Sequence, residues 1–176
     1  MLRAAVVAAM VGAGVTGAAL AAESGIGPPA LLGTFKEWHV YRAGAGKNRT
    51  CYALAVPKEM QPSNVSRDEV FFLISSWPAN KTANQPSIVP GYPYAAKAKA
   101  QVQVGSDKFA FFTKNEGGSG GAWMEDIGNE KKLIAAMKRG SAMIVTGTSS
   151  RGTLTTDNYS LAGFSAALEK LGTACK

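Results

Sequence analysis

Ser119 is the side chain whose surroundings most resemble those of a nucleophile. It lies in Gly117-Gly118-Ser119-Gly120-Gly121, a literal G-x-S-x-G. In hydrolases with that pattern the serine occupies a strained strand-to-helix turn, and its base histidine follows it in the chain. The single histidine here, His39, lies about 80 residues upstream, inside an alternating strand-like stretch. That order is wrong, and a permissive glycine loop accounts for the pattern without chemistry. A secreted hydrolase using Ser119 is therefore kept only as the alternative. Metal chemistry has less to draw on, since one histidine and two cysteines form no ligand spacing. The neighbouring carboxylates Glu125 and Asp126 would point to opposite sides of a strand, so they read as a solvated turn. No phosphate-cradling G-x-x-x-x-G-K-[ST] loop is present. The sequence implies no catalytic set, no metal and no cofactor.

Binding chemistry is better represented. Pro86-Ser87-Ile88-Val89-Pro90-Gly91-Tyr92-Pro93-Tyr94 is a stiff segment that either presents its tyrosines to a partner or plugs one end of a sandwich. Burial as a plug is the favoured reading. The candidate contact residues are Tyr92, Tyr94, Trp123, Lys97, Lys99 and Arg151. The 176-residue chain carries 19 basic and 12 acidic residues, a net charge of +7. The cations are scattered and no basic run alternates with aromatics, which argues against nucleic acid. An anionic envelope or host surface, or a partner protein, fits this balance. Ordinary solubilising charge fits it equally well.

The N-terminus gives the compartment. Met1-Leu2-Arg3 precedes a run from Ala4 to Ala22 without charge, and Ala19-Leu20-Ala21 offers small residues at a cleavage site. These are the parts of a secretory signal peptide, residues 1–21, with a cut after Ala22 as the near alternative. An uncleaved anchor is the competing reading, but the run is mostly Ala, Gly and Val, and no stop-transfer cluster follows. The dinucleotide-like Gly12-Ala13-Gly14-Val15-Thr16-Gly17 falls inside this segment and lacks the strand–helix context it needs. Export places the chain in the periplasm or envelope, with no membrane span after cleavage. There Cys51 and Cys175, the only pair, are expected to form a disulfide. Four N-x-[ST] sequons occur at Asn48, Asn64, Asn80 and Asn158, but the leader reads as bacterial and they are expected to be unused.

The elements that must hold these residues are mostly short strands. Residues 22–34 form a Gly/Pro-bearing lead-in expected to be flexible, and 35–176 a single domain. Glu37–Tyr41, Thr50–Val56, Val70–Ile74, Ala100–Val104, Phe109–Thr113, Ala142–Thr146 and Thr153–Thr156 all have strand character. The run Val70-Phe71-Phe72-Leu73-Ile74 is apolar throughout, which predicts cover on both faces. One helix is expected from Asn129-Glu130 to Arg139, closed by cations and Gly140. A second is expected from Ser160 as N-cap to Gly172. The fold class is mainly β: an antiparallel β-sandwich or barrel-like domain with two short α-helices.

The chain resembles the invasion-associated locus B family of bacterial exported proteins. The resemblance is carried by Trp38-His39-Val40, Cys51-Tyr52-Ala53, Ile88–Tyr94, Phe109–Thr113, Ala122-Trp123, Ala136–Gly140, Gly147–Thr153, Asp157–Phe164 and Cys175. It implies an α-proteobacterial periplasmic or envelope protein, with a namesake linked to host-cell entry. It supplies no catalytic residues. The expected function is therefore non-enzymatic: binding in envelope maintenance or host-cell association, or a structural place in an envelope complex.

Overall fold

The structure is a computed structural model that describes residues 28–176. The expected signal peptide and the first part of the lead-in lie outside the described residues. Eleven strands form one sheet: β1 (Ala30–Phe35), β2 (Trp38–Ala43), β3 (Thr50–Ala55), β4 (Glu59–Gln61), β5 (Phe71–Trp77), β6 (Thr82–Val89), β7 (Lys99–Val104), β8 (Asp107–Glu116), β9 (Ser119–Met124), β10 (Ala142–Thr148) and β11 (Leu154–Ser160). The helices are α1 (Glu130–Arg139) and α2 (Phe164–Ala174). The spatial order is β1-β2-β3-β5-β6-β9-β8-β7-β10-β11-β4, with antiparallel pairing between neighbours.

The sheet does not close, but it curls until distant strands share one core. Phe72 of β5 shows how far. Its ring meets Trp38 of β2 at 6.4 Å, Phe111 of β8 at 6.4 Å and Tyr159 of β11 at 6.1 Å. Three contacts from strands that are not its neighbours require the sheet to wrap around it. The two ends also touch directly: Trp38 Nε1 donates to the Ser160 carbonyl, and Lys58 pairs with Glu37 at 3.0 Å. The result is a sandwich-like β domain with two helices, as the alternating runs predict.

Both helices lie on the inner side. Phe164 of α2 packs on Trp38 at 4.9 Å, and Leu133 and Met137 of α1 join the same core. The chain enters α2 later than the hydrophobic spacing suggests. β11 runs on to Ser160, so Ser160 is not the N-cap; the turn is made at Gly163 with φ 90°. A Cβ there would sit 1.9 Å from the Phe35 carbonyl oxygen, so only glycine fits. The helix likewise continues through Gly172 to Ala174. At the other terminus, residues 30–34 of the expected lead-in are ordered as β1, with Thr34 opposite His39.

Cys175 then reaches β3. Its disulfide to Cys51 spans 124 positions and ties the end of α2 to the inner face of the sheet. Arg49 reinforces the closure by donating to the Lys176 carbonyl at 2.5 Å. Loop-closure entropy assigns a clasp of this span about 4 to 5 kcal/mol as an upper figure. Cys51→Ala/Cys175→Ala protein is expected to lose stability of that order in a denaturant titration. A midpoint unchanged from the parent would show that the clasp does not stabilise the fold.

Candidate functional site

Two regions of the surface carry unusual chemistry: a cleft at one end of the curled sheet and the outer face of its middle strands. The cleft begins with the segment Pro90–Tyr94, which crosses the sheet end after β6. Gly91 has φ 73°, and a Cβ there would lie 2.4 Å from the Asp68 carbonyl oxygen, so the close crossing depends on glycine. Arg67, in the loop after β4, fastens this strap. Its Nε and Nη2 both donate to the Pro90 carbonyl, at 3.0 and 2.6 Å, and the Asp68 amide donates to the Gly91 carbonyl.

The same guanidinium grips Asp157 of β11 with two bonds, 2.6 and 2.7 Å, and both side chains are about 5% exposed or less. Asp157 is inward because β11 alternates, placing Thr155, Asp157 and Tyr159 on the core side. Burial disfavours the Arg67 charge, but Asp157 outweighs it and holds the guanidinium above its usual range. Tyr92 lies beneath, its ring centroid 5.0 Å from the guanidinium carbon, and its hydroxyl hydrogen-bonds Thr155 at 2.6 Å. Tyr94 packs edge-on against Tyr92, and its backbone is held from both sides by the Asn115 amide. Above this floor the turn Ser149–Thr153 forms the far wall of a cleft of about 420 Å³.

The outer face follows from the strand register. Reading across from β2, the outward residues are His39, Leu54, Leu73, Ser87, Trp123, Phe112 and Lys99. Their neighbours Ala53, Phe72, Ile88, Ala122 and Phe111 are buried on the inner side. Trp123 and Phe112 stack at 5.8 Å, with the indole lying over Gly121, and Phe112 is 46% exposed. Phe71, Leu73 and Val89 are half-buried beside them. The expectation that β5 is covered on both faces is thus corrected. Phe72 and Ile74 face the core, but no described helix or strand lies over Phe71 and Leu73, because both helices occupy the inner side.

The expected contact residues fall in different places. Tyr92 and Arg151 line the cleft, whereas Tyr94 is only 2% exposed and belongs to the core. Trp123 is on the outer face. Lys99, at the start of β7, pairs with Glu125 at 2.6 Å, and Lys97 is exposed in the turn before it. Ser119 does not sit on a nucleophile elbow. Gly117 and Gly118, both with positive φ, make a two-residue hairpin turn, and Ser119 opens β9. His39 contacts Thr34 at 3.1 Å. Measured along the sheet, it is four strand spacings from β9, about 19 Å. The structure does not bring Ser119 and His39 together. Asp126 accepts from the Gly128 amide and so begins the turn into α1.

Arg67 is the residue that the sequence patterns pass over. It lies 90 positions from Asp157, in a loop without periodicity. The available signal was on the other side: an aspartate alternating with Thr155 and Tyr159 on a buried face needs a cation.

A curled antiparallel sheet with two helices packed against its inner side and a disulfide-fastened C-terminus defines a sandwich-like β domain. Residues 38–172 match the family described as Invasion associated locus B (IalB) protein, and the chain belongs to that family. Among solved structures it is similar to invasion associated protein b from Bartonella henselae, with a TM-score of 0.56 and 19% identity. The match covers 81% of this chain and 96% of that one. That likeness establishes the fold. Against curated protein sequences the chain has no match. No described helix is long and apolar enough to cross a membrane.

Removing one member of the Arg67–Asp157 pair strands a buried charge, which costs about 3 to 5 kcal/mol. Arg67→Met is therefore expected to lower the urea midpoint sharply, while Arg67→Met/Asp157→Leu loses less than the two single changes added together. Strict additivity would contradict the coupling.

Tyrosine gives a second expectation. Burial raises Tyr92, Tyr94 and Tyr159 above the ordinary phenol value of 10.0. Above that pH the unfolded chain releases these protons first, so stability is complete below it and falls as pH rises beyond it. The Tyr159 hydroxyl has no partner among the described residues. Tyr159→Phe should cost little at neutral pH and make the alkaline fall in denaturant stability shallower. An unchanged slope would contradict this assignment.

Proposed function

We propose that this chain is an exported, non-enzymatic envelope protein that acts by binding a partner protein through the outer face centred on Trp123 and Phe112. The supporting observation is the outward row Leu54, Leu73, Ser87, Trp123 and Phe112 on β3, β5, β6, β9 and β8, apolar except at Ser87, with Phe112 exposed and no covering layer among the described residues. Contiguous apolar surface on a folded domain commonly marks a macromolecular contact. Aromatic residues at its centre fit the composition of interface cores. The paired ions Lys99–Glu125 and Lys114–Glu116 lie at its margin, the place where a polar rim belongs. The leader-like N-terminus and the Cys51–Cys175 disulfide support an oxidising compartment outside the cytoplasm. Envelope maintenance and host-cell association are both compatible with such a surface. A place as a subunit of an envelope complex is a stoichiometric version of the same binding.

The test uses Phe112→Ser/Trp123→Ser protein expressed in its native envelope, with circular dichroism to verify the fold. The parent is expected to co-purify with one partner in fixed ratio after mild cross-linking, and the variant to lose it. Retention of the same partner at the same ratio would overturn the assignment of this face.

A further inference from the structure

The cleft beside the strap is a different surface from the aromatic face, and charged side chains are part of its lining. We propose that it binds a small zwitterion: a molecule carrying a phosphate or carboxylate together with an ammonium group. The cleft's volume of about 420 Å³ is within the range of small-molecule sites.

The charges lining the cleft divide into those already paired and those without an ion-pair partner among the described residues. Arg67 and Asp157 neutralise each other through two bonds, and the Pro90 carbonyl takes two further donations from Arg67. Tyr92 is occupied by Thr155. The floor is thus charge-balanced and held in place. Two charged side chains remain at the walls: Arg151 on the β10–β11 turn and Asp68 on the loop before β5. Both are exposed, and neither makes an ion pair among the described residues.

Their chemistries are opposite and complementary to one ligand. A guanidinium offers a planar fork of donors that fits a carboxylate or a phosphate. A carboxylate only accepts, and so suits an ammonium. A lone anion would meet Arg151 but be opposed by Asp68, and a lone cation the reverse. A molecule with both charges satisfies both walls.

The wall that carries Arg151 is also fixed before any ligand arrives. The Ser150 amide donates to the Pro93 carbonyl, the Ser149 amide to the Thr153 carbonyl, and the Thr153 amide to the Ser149 hydroxyl. Preorganisation of this kind lowers the cost of ordering a site on binding. Ser66 and Ser150 also line the cleft and add hydroxyl donors and acceptors to it.

The experiment follows backbone amides of the full mature chain by NMR during titration with O-phosphoethanolamine, alanine, inorganic phosphate and ethanolamine. The expected result is that at least one of the two zwitterions shifts amides of 66–68 and 149–153. It should bind about tenfold more tightly than phosphate or ethanolamine, the ratio for one added charge-assisted contact. Arg151→Gln and Asp68→Asn, both surface changes, should each weaken it by several-fold. Phosphatidylethanolamine vesicles then separate the two sources of this chemistry. Co-sedimentation that soluble O-phosphoethanolamine competes away assigns a lipid headgroup; soluble binding without co-sedimentation assigns a free metabolite. The proposal is overturned if neither zwitterion moves these amides. It is equally overturned if phosphate alone binds as tightly, or if both variants bind like the parent. None of these outcomes depends on Trp123, so failure here is distinct from failure of the aromatic face.

Discussion

The grip of Arg67 on Asp157 organises one whole end of this domain. A guanidinium buried under a loop needs a carboxylate, and a carboxylate on the core side of β11 needs a cation. Meeting both requirements in one bidentate contact brings the loop after β4 onto a strand 90 positions away. The remaining donors on Arg67 then fix Pro90, and Pro90 fixes where Gly91, Tyr92 and Tyr94 cross the sheet end. The cleft exists because the loop carrying Arg67 and Asp68 and the Ser149–Thr153 turn are both fastened to this strap, the first at Pro90 and Gly91 and the second at Pro93 and Tyr94. A hydrophobic replacement could hold the same elements together, but it would not supply a charge-balanced polar floor.

The opposite organising feature is the direction of the sheet's curl. By wrapping around Phe72, the strands bring Trp38, Phe111 and Tyr159 together inside. Both helices pack their apolar stripes against that inner side, and the disulfide fastens the end of α2 to it. Alternate residues of the middle strands are then turned outward whatever their polarity. That Phe71, Leu73, Val89, Trp123 and Phe112 are among them is a property of the sequence, not a requirement of the fold. Pro86 marks the same strand as special: pairing of β6 with β9 covers only Ser87 and Ile88, so β6 is half an edge strand where the proline sits.

Much of the architecture was legible in local patterns. Period-two alternation located β2 and β7, strand-type residues ending at Pro57 located β3, and the Gly105-Ser106-Asp107 turn located β8 as the hairpin partner of β7. The Cys pair and the inward stripe of α1 followed equally from residue type and spacing. What was not legible depended on long-range contacts. The start of α2 moved because Gly163 passes against Phe35, a collision that no local propensity encodes. The uncovered face of β5 was missed because an apolar run reports burial demand without saying whether a partner is in the same chain. Of the candidate contacts, Arg151 and Tyr92 were brought to one cleft and Trp123 to the outer face. Arg67, on which the cleft depends, carried no local signal.

The central claim is that this domain works by presenting an uncovered aromatic face to a partner, and position-specific photo-cross-linking in the intact envelope tests it most directly. A photoreactive amino acid in place of Phe112 is predicted to give one discrete heavier adduct. The same group in place of Lys138, on the polar side of α1, is predicted to give none. Absence of an adduct at position 112, or identical adducts at both positions, would contradict the account.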